Sequence, residues 1–131
     1  MNKKDKYIFF MPAGEMQATT VQFIKSNDFK IILCDGDSQA FLKDQADIFL
    51  NFDIFDVNEC ENQFNKLSQN INIVSAYTSS ADCHKSIAHI ANKIGSKLTW
   101  NKYISDICGD KHQTRNFLSI ICQQPLSILV S

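Results

Sequence analysis

The stretch that decides the fold is Tyr7-Ile-Phe-Phe-Met11, which is followed at once by Pro12-Ala-Gly14. Five consecutive apolar residues are typical of a strand that is buried on both faces, as in the centre of a parallel sheet. A proline and a glycine directly after the run indicate that the strand ends there in a turn. We therefore predict that residues 7–11 form a central strand.

Helical and strand patterns alternate along the rest of the chain. Residues 30–34 form a second strand-like run that ends at Asp35-Gly36-Asp37, and residues 46–52 and 72–76 predict two more strands. Apolar stripes at helical spacing lie between and after these runs, at Ala18, Val21 and Ile24, at Val57, Cys60, Phe64 and Leu67, and at Cys83, Ile87, Ile90, Ala91 and Ile94. This alternation predicts an α/β fold, a three-layer Rossmann-like parallel sheet with helices on both faces.

Several local patterns mark helix ends. Asp56 with Glu59, and Ser79 with Asp82, have the spacing of a capping box, and Gly95 stands where a C-terminal glycine is expected. Beyond it we expect a short helix within residues 98–108 and another from about residue 110. The sequence closes on a strand-like apolar run at residues 126–130.

Composition excludes several classes of protein. Thirteen Lys and Arg against fourteen Asp and Glu give a net charge of −1, so there is no electrostatic reason to expect nucleic-acid binding. The apolar run at residues 7–11 is too short for a signal-peptide core or a membrane span. Five cysteines without a Cys-x-x-Cys pair or a secretion signal indicate reduced thiols. We expect a cytoplasmic protein that binds neither nucleic acid nor membrane.

The carboxyl ends of parallel strands are where such sheets bind ligands. Gly14 and Gln17 follow the first predicted strand and Asp35 follows the second. A single glycine does not make the Gly-x-Gly-x-x-Gly pattern of dinucleotide sites, so we do not predict NAD. Asp35 suits a ribose hydroxyl and an ordinary acidic turn equally well. For Asp82, the role of helix cap is favoured over ligand binding.

The sequence Cys83-His84, with His89 nearby, raises the hypothesis of a metal site or a reactive thiol. The two histidines are five residues apart, which puts them on different faces of a helix, and Cys83 belongs to an apolar stripe. We therefore predict neither metal binding nor thiol catalysis. Trp100 and the ten phenylalanines are expected in the core.

The most informative polar stretch is Asp110-Lys-His-Gln-Thr-Arg115. It places Lys111 in the first turn of a predicted helix and Arg115 four residues later on the same face. Positive charge at a helix N-terminus opposes the helix dipole, so it does not serve helix stability. Contact with a phosphate group explains the positions of Lys111 and Arg115 better than simple exposure to solvent does. Solvent exposure without a ligand stays the alternative.

The order of these features resembles the N-terminal, pre-ATP-grasp domain of the ATP-grasp ligases, a superfamily that includes biotin carboxylase, the carbamoyl-phosphate synthase large subunit and various carboxylate-amine ligases. The matching positions, in family order, are Gly14 and Gln17, Asp35-Gly36-Asp37, Ala46-Asp47, Ser79 to Asp82, Ala88 to Gly95, and Asp110-Lys111 with Arg115. The resemblance spans nearly the whole chain. The first turn departs from the family pattern because it lacks the usual second glycine.

The resemblance implies a Rossmann-like pre-ATP-grasp domain in residues 1–108 and the start of a connection into an ATP-grasp domain in residues 109–131. It implies that Lys111 lies against the nucleotide and that Arg115 supports phosphate or the domain junction. Gly14, Gln17 and Asp35 would face a small carboxylate or amine substrate. ATP and Mg²⁺ would be held in the full-length enzyme, with no tight binding to this chain.

Two functions are therefore weighed. The first is an N-terminal substrate-side domain of an ATP-dependent carboxylate-amine or ammonia ligase, of the carbamoyl-phosphate-synthase or biotin-carboxylase type. We expect it to be a truncated fragment, inactive alone, whose partner is the missing ATP-grasp domain of the same polypeptide. The alternative is a stand-alone, non-catalytic Rossmann-like module that binds a small ligand or a protein, and a homodimer is left open. The apolar run at residues 126–130 favours the fragment, and a reading frame that continues past Ser131 would support it.

Overall fold

The computed structural model describes residues 5–96, 101–123 and 125. In this part of the chain, four strands form one parallel sheet in the order β3-β2-β1-β4. The strands are β1 (Lys6–Phe10), β2 (Lys30–Asp35), β3 (Ile48–Asn51) and β4 (Asn72–Tyr77). Because β1 pairs with β2 on one side and β4 on the other, it is an interior strand, and the prediction of a parallel sheet around it is confirmed.

Helices cover both faces of the sheet. They are α1 (Ala18–Ser26), α2 (Val57–Ser68), α3 (His84–Ile94), α4 (Lys102–Cys108) and α5 (Lys111–Leu118). Residues of α1 pack on one face, and residues of α2 and α3 pack on the other. This is the three-layer Rossmann-like arrangement that the alternating patterns predict. None of the described helices is long and apolar enough to cross a membrane.

The apolar run of β1 divides between two cores. Tyr7, Phe9 and Met11 belong to the cluster under α2 and α3, and Ile8 and Phe10 belong to the cluster under α1. All five side chains are buried. Successive residues of a strand point to opposite faces, so a strand covered on both sides needs apolar residues throughout.

Asp47 fixes the start of β3 against β2. Its Oδ2 accepts a hydrogen bond of 2.9 Å from the backbone N–H of Ile31, and its own N–H donates to the carbonyl of Ile31 at 3.0 Å. Both the N–H and the carbonyl of Ile31 are thus hydrogen-bonded to Asp47. This gives a structural reason for an aspartate at the opening of the third strand.

The first predicted capping box is half formed. The Oδ1 atom of Asp56 accepts hydrogen bonds from the backbone N–H groups of Asn58 and Glu59, so Asp56 is the N-cap of α2. The carboxylate of Glu59 accepts from Gln63 instead of reaching back, and the N–H of Asp56 donates to the carbonyl of Asp53.

The second predicted capping box is wrong. The chain enters α3 through a 3-10 turn at Ala81–Cys83, so Ser79 does not precede the first helical turn, and no side chain caps either element. The N–H of Ser80 donates instead to Oγ1 of Thr78, which closes the end of β4. Asp82 is exposed and caps no amide, so its favoured role as a helix cap is also wrong.

The predicted C-terminal glycine of α3 and the two helices expected after it are confirmed. Gly95 ends α3 with a φ of 73°, in the left-handed region. Asn101 caps α4, which lies within the range predicted for a short helix, and Asp110 caps α5. Trp100 and the apolar run at residues 126–130 lie outside the described residues.

The expectation that the phenylalanines are core residues is wrong for four of them. Phe23 is 68% exposed, Phe41 66%, Phe55 62% and Phe117 43%. Phe41 and Phe55 lie in loops that follow β2 and β3, whereas Phe23 lies in α1 and Phe117 in α5. In the two loops, strand and helix periodicities do not constrain which side chains face solvent.

Candidate functional site

The turns after β1 and β2 are joined by one carboxylate. Asp35, the last residue of β2, accepts a hydrogen bond of 2.8 Å at Oδ2 from the N–H of Ala13 and one of 2.9 Å at Oδ1 from the N–H of Asp37. The N–H of Leu42 donates to the carbonyl of Ala13 at 2.9 Å. These bonds connect the two turns into part of a rim, which we call the carboxyl-end rim and which comprises residues 11–17, 35–42, 51–56 and 77–83.

Gly14 and Gln17 lie on the same part of this rim. Gln17 is 8% exposed, and its Oε1 is 3.0 Å from the position that a Cβ on residue 14 would occupy. A side chain at Gly14 would therefore displace the Gln17 amide. Among the residues that the structure describes, none hydrogen-bonds the side-chain amide of Gln17. The structure thus brings Gly14, Gln17 and Asp35 together and leaves the Gln17 amide available to a ligand.

Acidic side chains are spread over all four loops of the carboxyl-end rim, and these loops contain no lysine or arginine. The acidic residues are Glu15, Asp35, Asp37, Asp53, Asp56 and Asp82. Several of them also bind backbone amides of their own loops, which explains their presence in part. One cation lies beside them, because Nζ of Lys43 donates to the carbonyl of Ser38 at 2.9 Å. The acidic groups still outnumber it, so the rim carries an excess of negative charge.

Three thiols in or near the rim are buried. Burial raises the pKa of Cys34 well above its usual range, that of Cys60 to about 11 and that of Cys83 to about 12. These thiols are neutral near pH 7 and cannot act as thiolate nucleophiles. The interpretation of Cys83 as a small buried apolar residue agrees with its 1% exposure. Within the described residues, no three His, Cys, Asp or Glu side chains are grouped so that they could hold a metal ion.

Lys111 and Arg115 lie one turn apart on α5, and both are exposed. Hydrogen bonds from the N–H groups of Gln113 and His112 lower the pKa of the capping Asp110. Gly109, two residues before α5, lies close to His84, the first residue of α3. A Cβ atom built on Gly109 would be 3.5 Å from Nε2 of His84, so the start of α5 lies near the 77–83 loop of the rim.

The predicted site residues thus form two groups. One group, Gly14, Gln17 and Asp35, is attached to β1 and β2, and the other, Lys111 and Arg115, is attached beyond β4 through the start of α3. No hydrogen bond or ion pair in the described part of the chain joins the two groups. The role of each residue toward a ligand stays a prediction.

A groove that sequence reasoning missed lies on the α1 side of the sheet, along the edge strand β4. Its volume is about 1020 Å³. The apolar part of its lining includes Ile8, Phe23, Phe29, Val74 and Tyr77. The signal in the sequence would have been Phe23, which interrupts the polar side of an otherwise amphipathic helix.

No family model and no curated protein matches the chain. Its fold is shared with phosphoribosylglycinamide synthetase from Anaerococcus prevotii, at a TM-score of 0.72 and 21% identity, over 88% of this chain and 28% of that one. It is also shared with N5-carboxyaminoimidazole synthetase from Staphylococcus aureus, solved in complex with ADP, at a TM-score of 0.61 and 13% identity, over 92% of this chain and 31% of that one. Both proteins are ATP-grasp ligases. The chain spans less than a third of either ligase, and it has the Rossmann-like fold of a part of them, as the resemblance predicted.

Proposed function

We propose that the chain is the substrate-side domain of an ATP-dependent ligase, which activates a carboxylate as an acyl phosphate and joins it to an amine or ammonia. The observation that carries the proposal is the fold, shared over 88% of the chain with an ATP-grasp ligase at a TM-score of 0.72. ATP and Mg²⁺ would be held mainly by residues beyond this domain, since the chain spans only 28–31% of the ligases it matches. Lys111 would contact the nucleotide, and Arg115 would support phosphate or the domain junction.

The charge of the carboxyl-end rim favours the amine, and not the carboxylate, as the substrate that this domain binds. A rim with acidic residues in every loop and one lysine, Lys43, at its margin attracts a cationic amine more than it attracts a carboxylate. In this proposal the Gln17 amide binds the substrate, and the absence of a side chain at Gly14 leaves room for that amide. Asp35 holds the two turns together, and the remaining lone pairs of its carboxylate accept hydrogen bonds from the amine.

The experiment is an NMR titration of the chain with two small probes of opposite charge, glycinamide and N-acetylglycine, at matched ionic strength. We expect glycinamide to shift the amide signals of Gly14 and Gln17 more than N-acetylglycine does. The variant Gln17→Leu should lose most of this response, while Gln39→Leu, an exposed glutamine in the next loop, should keep it. A larger response to the anion, or shifts confined to other parts of the chain, would contradict the proposal for the rim.

A second candidate function is a non-catalytic module that binds a ligand or protein along β4. The observation that favours it is the groove on the α1 side, where Phe23 is 68% exposed and Tyr77 45%. Binding in this groove would perturb signals of α1 and β4 and leave Gly14 and Gln17 unchanged. The same NMR spectra therefore distinguish the two functions.

A further inference from the structure

His89 of α3 lies between carboxylates from two other helices. Its Nδ1 is 3.2 Å from Oε1 of Glu61 in α2, and its Nε2 is 3.4 Å from Oδ1 of Asp106 in α4. The histidine is 8% exposed. A neutral imidazole has one N–H donor and one acceptor nitrogen, so it can donate to only one of the two carboxylates. The imidazolium donates to both and thus connects three helices.

The charged groups around the His89 ring decide which of its two carboxylate contacts is lost when the imidazolium gives up a proton. Lys93 lies 3.0 Å from Oε2 of Glu61, and Lys85 lies 3.6 Å from Oδ1 of Asp106 with half of its side chain exposed. Burial raises the pKa of Glu61, but the hydrogen bonds from Lys93 and His89 outweigh it and lower that pKa. A neutral His89 therefore keeps the shorter contact with the well-held Glu61 and loses the longer one with Asp106.

The loss of this contact affects α4 and the segment after it. Only Gly109 and Asp110 separate α4 from α5, and Oγ1 of Thr114 in α5 donates to the carbonyl of Ile107 in α4 at 2.8 Å. The two helices are therefore linked and would move together. We propose that the protonation of His89 controls how firmly α4 docks on α3, and through α4 the position of the segment that carries Lys111 and Arg115.

This inference goes beyond the proposed function and does not depend on it. The docking is expected to loosen and not to be lost, because Lys85 of α3 lies 3.6 Å from Oδ1 of Asp106 in α4 whether or not the ring carries its second proton. Nε2 of His84 also lies 3.2 Å from the carbonyl of Ser105, but Nδ1 of the same ring faces the carbonyl of Ala81, so a neutral His84 can donate to only one of the two. The direction follows from the proton count. The α4 contact is complete at low pH and weakens as the pH rises through the range in which histidines lose their proton, roughly pH 5 to 8.

The test is amide hydrogen exchange of α4 in the whole chain between about pH 5.5 and 8, corrected for the intrinsic pH dependence of exchange. We expect the protection of α4 to fall about three- to ten-fold over this range, because the hydrogen bond between His89 and Asp106 is lost. The fall is no larger because solvent screens this partly exposed bond. Protection of α1, which lies on the opposite face of the sheet, should stay constant.

Matched glutamine variants separate the histidines. His89→Gln has one side-chain amide group at every pH, so its α4 protection should change with pH less than that of the parent, and a His84→Gln variant measures the share that belongs to His84. His112→Gln should keep the behaviour of the parent, because Nε2 of His112 contacts only the Asn116 amide within the described part of α5. Protection of α4 that does not depend on pH in the parent, or an equal dependence in His89→Gln, would overturn the proposal.

The ring nitrogens give an independent measurement in case His89→Gln does not fold. The proposal requires the Nε2 proton of His89 to be lost in step with the protection of α4 as the pH rises. ¹⁵N chemical shifts of the ring report the loss of this proton. Loss of the proton without any change in α4 would refute the proposed coupling.

Discussion

The hydrogen bonds of Asp35 predict how much the carboxyl-end rim contributes to stability. In Asp35→Asn the side-chain oxygen still accepts from one backbone N–H, but the new NH₂ group faces the other donor. A hydrogen bond to a charged group contributes about 1.5–3 kcal/mol. Because Asp35 is half-buried, we expect a loss of about 1.5–2 kcal/mol in the free energy of unfolding, toward the lower end of that range.

The assay is urea unfolding followed by circular dichroism. With a urea dependence of about 1–3 kcal/mol per molar, the midpoint of Asp35→Asn should fall by roughly 1 M. The urea midpoint of Asp35→Ala should fall further, because this variant also removes the acceptor of the Ala13 N–H, and Ala13 is fully buried. The matched control is Asp82→Asn, an exposed aspartate of the same rim that caps no amide, which should change stability by less than about 0.5 kcal/mol.

Equal midpoints for Asp35→Asn and Asp82→Asn would refute the reasoning. In that case the carboxylate would not join the two turns in solution, and the rim geometry around Gly14 and Gln17 would be wrong. A fall in stability without any change in the response to glycinamide would instead limit Asp35 to its structural role.

Three further predictions follow from the backbone and the titratable groups. Gly95 has a φ of 73°, so Gly95→Ala should lower stability by about 1 kcal/mol in thermal unfolding, whereas Gly36→Ala, at an ordinary φ, should be close to neutral. The exposed thiols of Cys108 and Cys122 should react quickly with Ellman's reagent at about pH 8, and a third fast equivalent would contradict the neutral state of the three buried thiols. Because the pKa of Asp110 is lowered in the folded chain, its cap on α5 should hold above about pH 4 and be lost as the pH falls through that lowered pKa. Amide exchange of α5, compared between the parent and Asp110→Asn, measures this loss.

The sheet could be predicted because the buried residues of β1 and of β2 form unbroken apolar runs in the sequence. Such a run can be recognised without knowing which residues it packs against. A run such as residues 7–11 is apolar at every position, and only burial on both faces accounts for this. The cap at Asp56 could also be predicted, because a cap binds amides only two or three residues away. Ser79 with Asp82 shows the limit of such patterns, since the same spacing also fits a chain that enters its helix through a 3-10 turn.

The site was less accessible because its contacts are distant in sequence. The position of Asp35 could be predicted from the end of a strand, but its partner Ala13 is 22 residues away. His89 was weighed only as a metal ligand, by its spacing from His84. Its partners Glu61 and Asp106 are 28 and 17 residues away and meet it only once three helices have packed. Exposed Phe41 and Phe55 likewise lie in loops, where periodicity carries no information.

The measurement that tests the central claim most directly is the dissociation constant of Mg²⁺-ATP for the complete natural product of the gene, with and without Lys111→Ala. A lost hydrogen bond between lysine and phosphate corresponds to a roughly ten- to hundred-fold weaker affinity. We expect that loss for Lys111→Ala, with no change in the melting temperature without nucleotide, and no loss for Lys102→Ala, an exposed lysine at the start of α4. A complete gene product that does not bind ATP, or one whose affinity is unchanged by Lys111→Ala, would contradict the account.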